Sequence, residues 1–128
     1  MTGLGLAHLA GDYVAQSDWM AQEKTKRWIP ALAHAATYAA CHLPLTRDPV
    51  ALALIGGTHA VIDRYRLARH VVWAKNQLAP AEYRYPWSEG QTTGYHHTRP
   101  DWMAVWLMIL ADNCIHLAIG AAVLRWRR

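Results

Sequence analysis

From Val105 to Leu124 the chain runs almost without a polar side chain, and near the centre of that run stand Asp112, Asn113 and His116. A carboxylate buried without a partner costs several kcal/mol, so any fold of this chain must give Asp112 a cation, hydrogen-bond donors or a polar cavity. Its neighbours in helical register, among them Leu107, Met108, Ile109 and Ile115, offer no solvent face. The expectation is a helix that turns Asp112 and His116 inward, towards a polar centre.

The same pairing recurs elsewhere. His8 and Asp12 are four residues apart in an apolar stretch near the N-terminus, and His59 and Asp63 repeat the spacing in mid-chain. Asp112 and His116 carry it in reverse order. Residues at i and i+4 leave a helix on one face, one turn apart, so each pair can grip a single ion. Imidazole with carboxylate suits Zn²⁺, Mn²⁺ or Fe²⁺. Three helices each offering such a pair to one bundle axis would form a metal site of the kind built inside helical bundles. His34, on an otherwise apolar stretch, could complete the set. The expected ligands are therefore His8, Asp12, His34, His59, Asp63, Asp112 and His116, enough for one or two ions. A carboxylate not fully engaged with metal, Asp12 or Asp63, could act as general base. Gln16 continues the His8–Asp12 stripe and could bind substrate. Arg64 and Arg66 follow Asp63 and could neutralise a phosphate, although a solvated or headgroup-facing surface is the plainer reading. His96 and His97 could swing over the site or be incidental surface histidines.

The expected fold is all-α: one domain over residues 1–128, a compact bundle of about four helices around the His/Asp centre. The chain is 128 residues long, 53% hydrophobic and 17% charged, without Phe, and shows none of the alternating β-branched runs of a sandwich or barrel. The first helix is expected over about 4–23 and the second over about 29–42, with Pro30 in its first turn. Asp48-Pro49 reads as an N-cap followed by proline at the first helical position. The third helix then runs over about 49–78, with Gly56-Gly57 marking close packing or a kink. A Pro-, Gly- and Tyr-rich loop occupies about 80–100, of the kind that often forms a lid or binding loop. The last helix starts at Asp101 and reaches about 125. Cys41 and Cys114 fit neither a disulfide framework nor a zinc-finger spacing.

A net charge of +4 comes from three clusters: Lys24 to Arg27, Arg64 to Arg69, and Arg125 to Arg128. Such clusters suit anionic headgroups or phosphate-bearing substrates. Trp19, Trp28, Trp73, Trp102, Trp106 and Trp126 mostly fall near expected helix ends, as in an interfacial aromatic belt, with ordinary core filling as an equal reading. Polar residues interrupt each candidate span, and the mean hydropathy of −0.06 is low for a multi-span membrane protein. The first residues lack the basic segment of a secretory leader. The expected location is the inner membrane or its cytoplasmic face, with a soluble cytoplasmic bundle as the alternative.

His8 to Met20 (HLAGDYVAQSDWM), Thr58 to Arg69 (THAVIDRYRLAR) and Asp112 to His116 (DNCIH) resemble the bacterial and phage family known as domain of unknown function 3307. The likeness covers most of the chain except the loop. It implies a small helical protein, often membrane-embedded, with no established activity. The chain also looks distantly similar to inner-membrane metal-dependent hydrolases, which place His and Asp on apolar helices. The functional expectation is a metal-dependent hydrolase of a phosphoester, acting on a small phosphorylated substrate or lipid headgroup. The alternative is a non-enzymatic membrane-associated protein with a structural metal or buried polar network. No recognised nucleic-acid module is present, so nucleic acid is not an expected partner.

Overall fold

The structure, a computed structural model, describes residues 2–127, with side chains placed from Gly3 onward; Arg128 of the C-terminal basic cluster lies outside the described residues. The described residues form helices, turns and loops without a strand. The helices are α1 (Thr2–Leu9), α2 (Asp18–Glu23), α3 (Trp28–Cys41), α4 (Pro49–Tyr65), α5 (Leu67–Asn76) and α6 (Asp101–Trp126). The chain divides into two compact units, residues 1–65 with 116–128 and residues 66–115.

The first unit is a helical bundle with an alanine-rich interior. Ala7, Ala31, Ala35, Ala51 and Ala60 are all buried. A Cβ added to Gly56 would stand 3.2 Å from both the Ala35 carbonyl oxygen and the Ala39 Cβ, so α3 and α4 approach closely at this point. Small apolar side chains leave the remaining volume to be filled by larger ones. The largest fully buried side chains in this unit include Tyr38, His8, His34, His42 and His59, so imidazole rings supply much of its core. Asp48 caps α4 as expected: its Oδ1 accepts the Val50 N–H at 3.1 Å, with Pro49 opening the helix.

Two of the expected helices are broken. The first is interrupted by a π-helical turn over Ala10–Val14, in which the Ala15 N–H donates to the Ala10 carbonyl five residues back at 2.8 Å. Single π turns are rare and often mark functional sites. Beyond it Ser17 restarts the helix, its Oγ accepting the Met20 N–H at 3.3 Å. Gly11 lies within the π turn, where an added Cβ would meet Tyr38 Cδ2 at 2.6 Å. The expected long third helix ends at Tyr65, because Arg66 takes the left-handed conformation at φ 52°, ψ 48° and separates α4 from α5. The break falls there, not at Gly56-Gly57.

The second unit comprises α5, the connecting segment and the first part of α6. Two short 3₁₀ turns, Ala81–Tyr83 and Trp87–Glu89, punctuate the connection. Val72, Ala68 and Ala104 are its buried apolar side chains, and Thr93 is buried as well. The environment of Asp112 differs from the expectation. Leu107, Leu110 and Cys114 are exposed and Asp112 itself is half-buried, so apolar neighbours in the sequence do not enclose it.

Candidate metal centre

In the first unit, α4 and the end of α6 bring His59, Asp63 and His116 together, while the π turn and α3 supply Asp12 and His34. All five are buried. His34 and His59 face each other through their Nε2 atoms at 2.9 Å. Asp12 Oδ1 lies 3.3 Å from His34 Nε2 and 3.2 Å from His59 Nε2. Asp63 Oδ2 lies at the same two distances, 3.3 and 3.2 Å, from the same nitrogens. On its other edge, the His59 ring meets His116, Nδ1 to Nδ1, at 3.2 Å, and His116 Nε2 is 3.5 Å from Asp63 Oδ1.

This set is rich in acceptors and poor in protons. A neutral imidazole carries a single N–H and a carboxylate none. The contact between the two Nε2 atoms accommodates at most one proton, and among the described residues Asp12 Oδ1 has no hydrogen bond of acceptable geometry. The spacing suits a cation. Ligands about 2.0–2.1 Å from one ion are about 2.9 Å apart in an octahedron and about 3.3 Å apart in a tetrahedron. The Asp12, His34 and His59 atoms fall within that range, at 2.9–3.3 Å. Two buried groups, Asp12–His34–His59 and His59–Asp63–His116, could each hold a metal ion, and they share His59.

Electrostatics within the cluster keep the carboxylates ionised. Burial alone would raise the Asp12 carboxyl, but the imidazoles of His34 and His59 outweigh it and hold the group below the ordinary carboxylate range. Asp63 is treated likewise: burial opposes, and contacts with His116, His34 and His59 prevail. Burial would pull the His34 imidazolium down, yet Asp12 and Asp63 together raise it. His42, without a carboxylate against it, is lowered by burial.

Three contributors were not expected from the sequence. Lys24 places its Nζ 2.7 Å from Asp63 Oδ2; the pair is ionic although its angles fall outside hydrogen-bond geometry. Tyr38 stacks on the His59 ring at 3.7 Å with 12° between the planes, and its hydroxyl is 2.8 Å from His8 Nδ1. His42 is fully buried, with Nδ1 2.9 Å from the Tyr38 carbonyl oxygen. His34, Tyr38 and His42 form an i, i+4, i+8 stripe along α3 and its C-cap that was present in the sequence to be read.

The other expected site residues fall as follows. His8 sits behind Asp12, its Nε2 3.5 Å from Oδ2, the oxygen not facing His34 and His59. Gln16 is half-buried just beyond the π turn. Arg64 donates from Nη1 to the Thr25 carbonyl at 2.7 Å and lies over the Trp28 ring, so it steadies the segment that carries Lys24. Arg66 belongs to the second unit, where its Nη2 donates to the Thr92 carbonyl at 2.8 Å. Asp112 also belongs to that unit, one turn before His116.

The family model described as protein of unknown function (DUF3307) matches residues 1–125. The chain belongs to the DUF3307 family. No curated protein and no solved structure matches it. His8, Asp12, His59, Asp63 and His116 all lie within the matched span, so the buried centre is built inside the family's own domain.

Proposed function

We propose that this DUF3307 protein is a metal-dependent hydrolase of a phosphoester, working at the inner membrane or its cytoplasmic face. The observation that carries the reading is the pair of buried ligand groups joined at His59. One or two divalent ions, Zn²⁺, Mn²⁺ or Fe²⁺, would be held by Asp12, His34, His59, Asp63 and His116. Such an ion supplies Lewis acidity and brings the pKa of a water to about 7. Asp12 Oδ2 and Asp63 Oδ1 face His8 and His116, not the His34–His59 pair, so each carboxylate keeps an oxygen for proton transfer. A divalent ion together with Lys24 outweighs the two carboxylates by a positive charge, which favours an anionic substrate. Lys24 also reaches solvent, at 18% side-chain exposure, so an anion can approach from its side. Gln16, whose Oε1 lacks a hydrogen-bond partner among the described residues, is the candidate for a substrate contact.

The membrane reading rests on an inverted distribution of polarity. Leu6, Val14 and Ile29 are 68%, 84% and 75% exposed, whereas His8, His34 and His59 are at most 1% exposed. Apolar side chains this exposed around a polar interior suit a lipid or protein contact. Helix α6 is long and apolar enough to cross a bilayer, and little of it is buried. A phosphate-bearing lipid headgroup is accordingly a candidate substrate alongside soluble phosphoesters.

The test is turnover of a panel of aryl and lipid phosphomonoesters by the metal-loaded protein. Asp63→Asn is expected to abolish hydrolysis while leaving the helical circular dichroism unchanged. A metal-loaded protein inactive on the whole panel would contradict the hydrolase reading. One observation favours a second reading, a structural metal: His34 and His59 are essentially inaccessible to solvent. In that case chelation would lower the thermal stability and no turnover would be found.

A further inference from the structure

The segment between α5 and α6 holds another set of metal-competent side chains, none of them shared with the buried centre. It has little regular structure, yet its own unit fastens it. Arg69 Nη1 donates to the Gln91 carbonyl at 2.8 Å, Trp73 Nε1 to the Tyr85 carbonyl at 3.1 Å, and the Tyr85 hydroxyl to the Gly94 carbonyl at 2.7 Å. Gly94 adopts φ +84°, where an added Cβ would stand 2.2 Å from the Arg69 carbonyl oxygen. The turn is therefore anchored, and the side chains it carries are positioned in advance.

The His97 N–H donates to the Glu89 carbonyl at 2.8 Å, closing the turn and bringing the Glu89 carboxylate against two imidazoles. Glu89 Oε2 is 2.5 Å from His97 Nδ1 and 3.9 Å from His96 Nε2. The two rings stack at 4.5 Å with 25° between their planes. The far nitrogen of His96, Nδ1, accepts the Thr98 N–H at 3.2 Å and lies 2.8 Å from the Thr98 hydroxyl, so the ring is held in place. An ion on His96 Nε2 requires the proton on Nδ1, where the Thr98 hydroxyl oxygen can accept it. Glu89, His96 and His97 also line a cavity of about 90 Å³, to which Asp101 adds a further carboxylate.

We propose that Glu89, His96 and His97 form a solvent-accessible site for a borderline transition-metal ion such as Zn²⁺ or Cu²⁺, separate from the buried centre. Two imidazoles and a carboxylate are ligands such ions favour over Mg²⁺ or Ca²⁺. Ligand atoms sharing one ion stand about 2.9–3.3 Å apart. Glu89 and His97 must therefore part slightly and His96 must draw in, and the exposed side chains of Glu89 and His97, 39% and 63% accessible, can rotate to do so. A bound ion would pin Glu89 to His97 and hold the turn closed.

The experiment is calorimetric titration of the untagged, full-length protein with Zn²⁺ at neutral pH, wild type against H96A/H97A. A parallel two-dimensional NMR titration follows the imidazole signals. Glu89, His96 and His97 are not among the buried residues, so H96A/H97A is expected to keep the wild-type circular dichroism. The wild type should bind one more Zn²⁺ per chain than H96A/H97A, and Glu89→Gln should weaken that extra site about tenfold or more. The His96 and His97 imidazole signals should shift on Zn²⁺ addition. Equal stoichiometry in the two proteins, or imidazole signals of His96 and His97 that do not move, would overturn the proposal. Because the readout is a difference between two proteins with the same buried centre, it holds whether or not that centre binds metal.

Discussion

Replacing Gly11 with alanine tests whether the π turn and Tyr38 are as tightly joined as the geometry requires. The new Cβ would lie 2.6 Å from Tyr38 Cδ2 and 3.2 Å from Tyr38 Cα. Ordinarily an aromatic ring could swing aside. Here the ring lies on His59 at 3.7 Å and its hydroxyl is tied to His8, so it can move only by disturbing both. Overpacking of this kind costs about 2–3 kcal/mol. Alanine recovers at most about 1 kcal/mol of backbone propensity over glycine. The net loss is about 1–2 kcal/mol, which for a chain of this length is a Tm decrease of about 4–7 °C. Gly57→Ala is the control, because an added Cβ there meets nothing within 4 Å. It should gain up to about 1 kcal/mol from the same propensity difference. Thermal unfolding followed by circular dichroism would read both, and Zn²⁺ titration of Gly11→Ala should show weakened binding as Tyr38 displaces His59. A Gly11→Ala protein as stable as wild type, with undiminished affinity for Zn²⁺, would refute the reasoning.

Lys24→Met should destabilise the metal-free protein by about 3 kcal/mol, since it strips the ammonium from the buried Asp63, and by clearly less once metal is bound and supplies the positive charge; denaturant unfolding with and without Zn²⁺ measures the difference. Asp48 is held below its ordinary pKa of 3.8, mainly by its hydrogen bond to Arg127, so the stabilisation from this pair is complete above that value and is lost as the pH falls through the depressed pKa. Arg127→Gln should return the Asp48 titration, followed by carboxylate NMR, towards 3.8. Cell fractionation should find the untagged protein in the membrane pellet; a monodisperse protein in the high-speed supernatant without detergent would decide for the soluble alternative.

The local half of the centre was legible in the sequence because helical geometry converts a spacing into a shared face. His59 and Asp63 behave in that way, and His34 proved to stand opposite them. The reading of His8 was less complete: the pairing with Asp12 holds, through the outer carboxylate oxygen, but His8 is not a member of either three-residue ligand group. Lys24 could not be found from sequence because its partner, Asp63, lies on a different helix, and in sequence it looks like one member of a surface cluster. The helix breaks were hidden for a related reason. Nothing in Ala10–Val14 distinguishes a π turn from an α turn, and arginine is not a residue that favours the left-handed conformation Arg66 adopts. The Arg66 contact with the Thr92 carbonyl, made across the connecting segment, accompanies that conformation and is a tertiary feature. Asp112 is half-buried and not enclosed, because its apolar sequence neighbours lie on a helix much of which is exposed.

Everything proposed for the buried His/Asp cluster depends on its binding metal. Elemental analysis tests it most directly if done on untagged protein carrying H96A/H97A, which removes the loop ligands, with Asp12→Asn/His59→Ala added in a parallel sample. The account predicts about one or two equivalents of a transition metal per chain in the first protein, and loss of that metal in the second. A first protein that is metal-free as purified, and that fails to take up Zn²⁺ or Mn²⁺ at neutral pH, would contradict it.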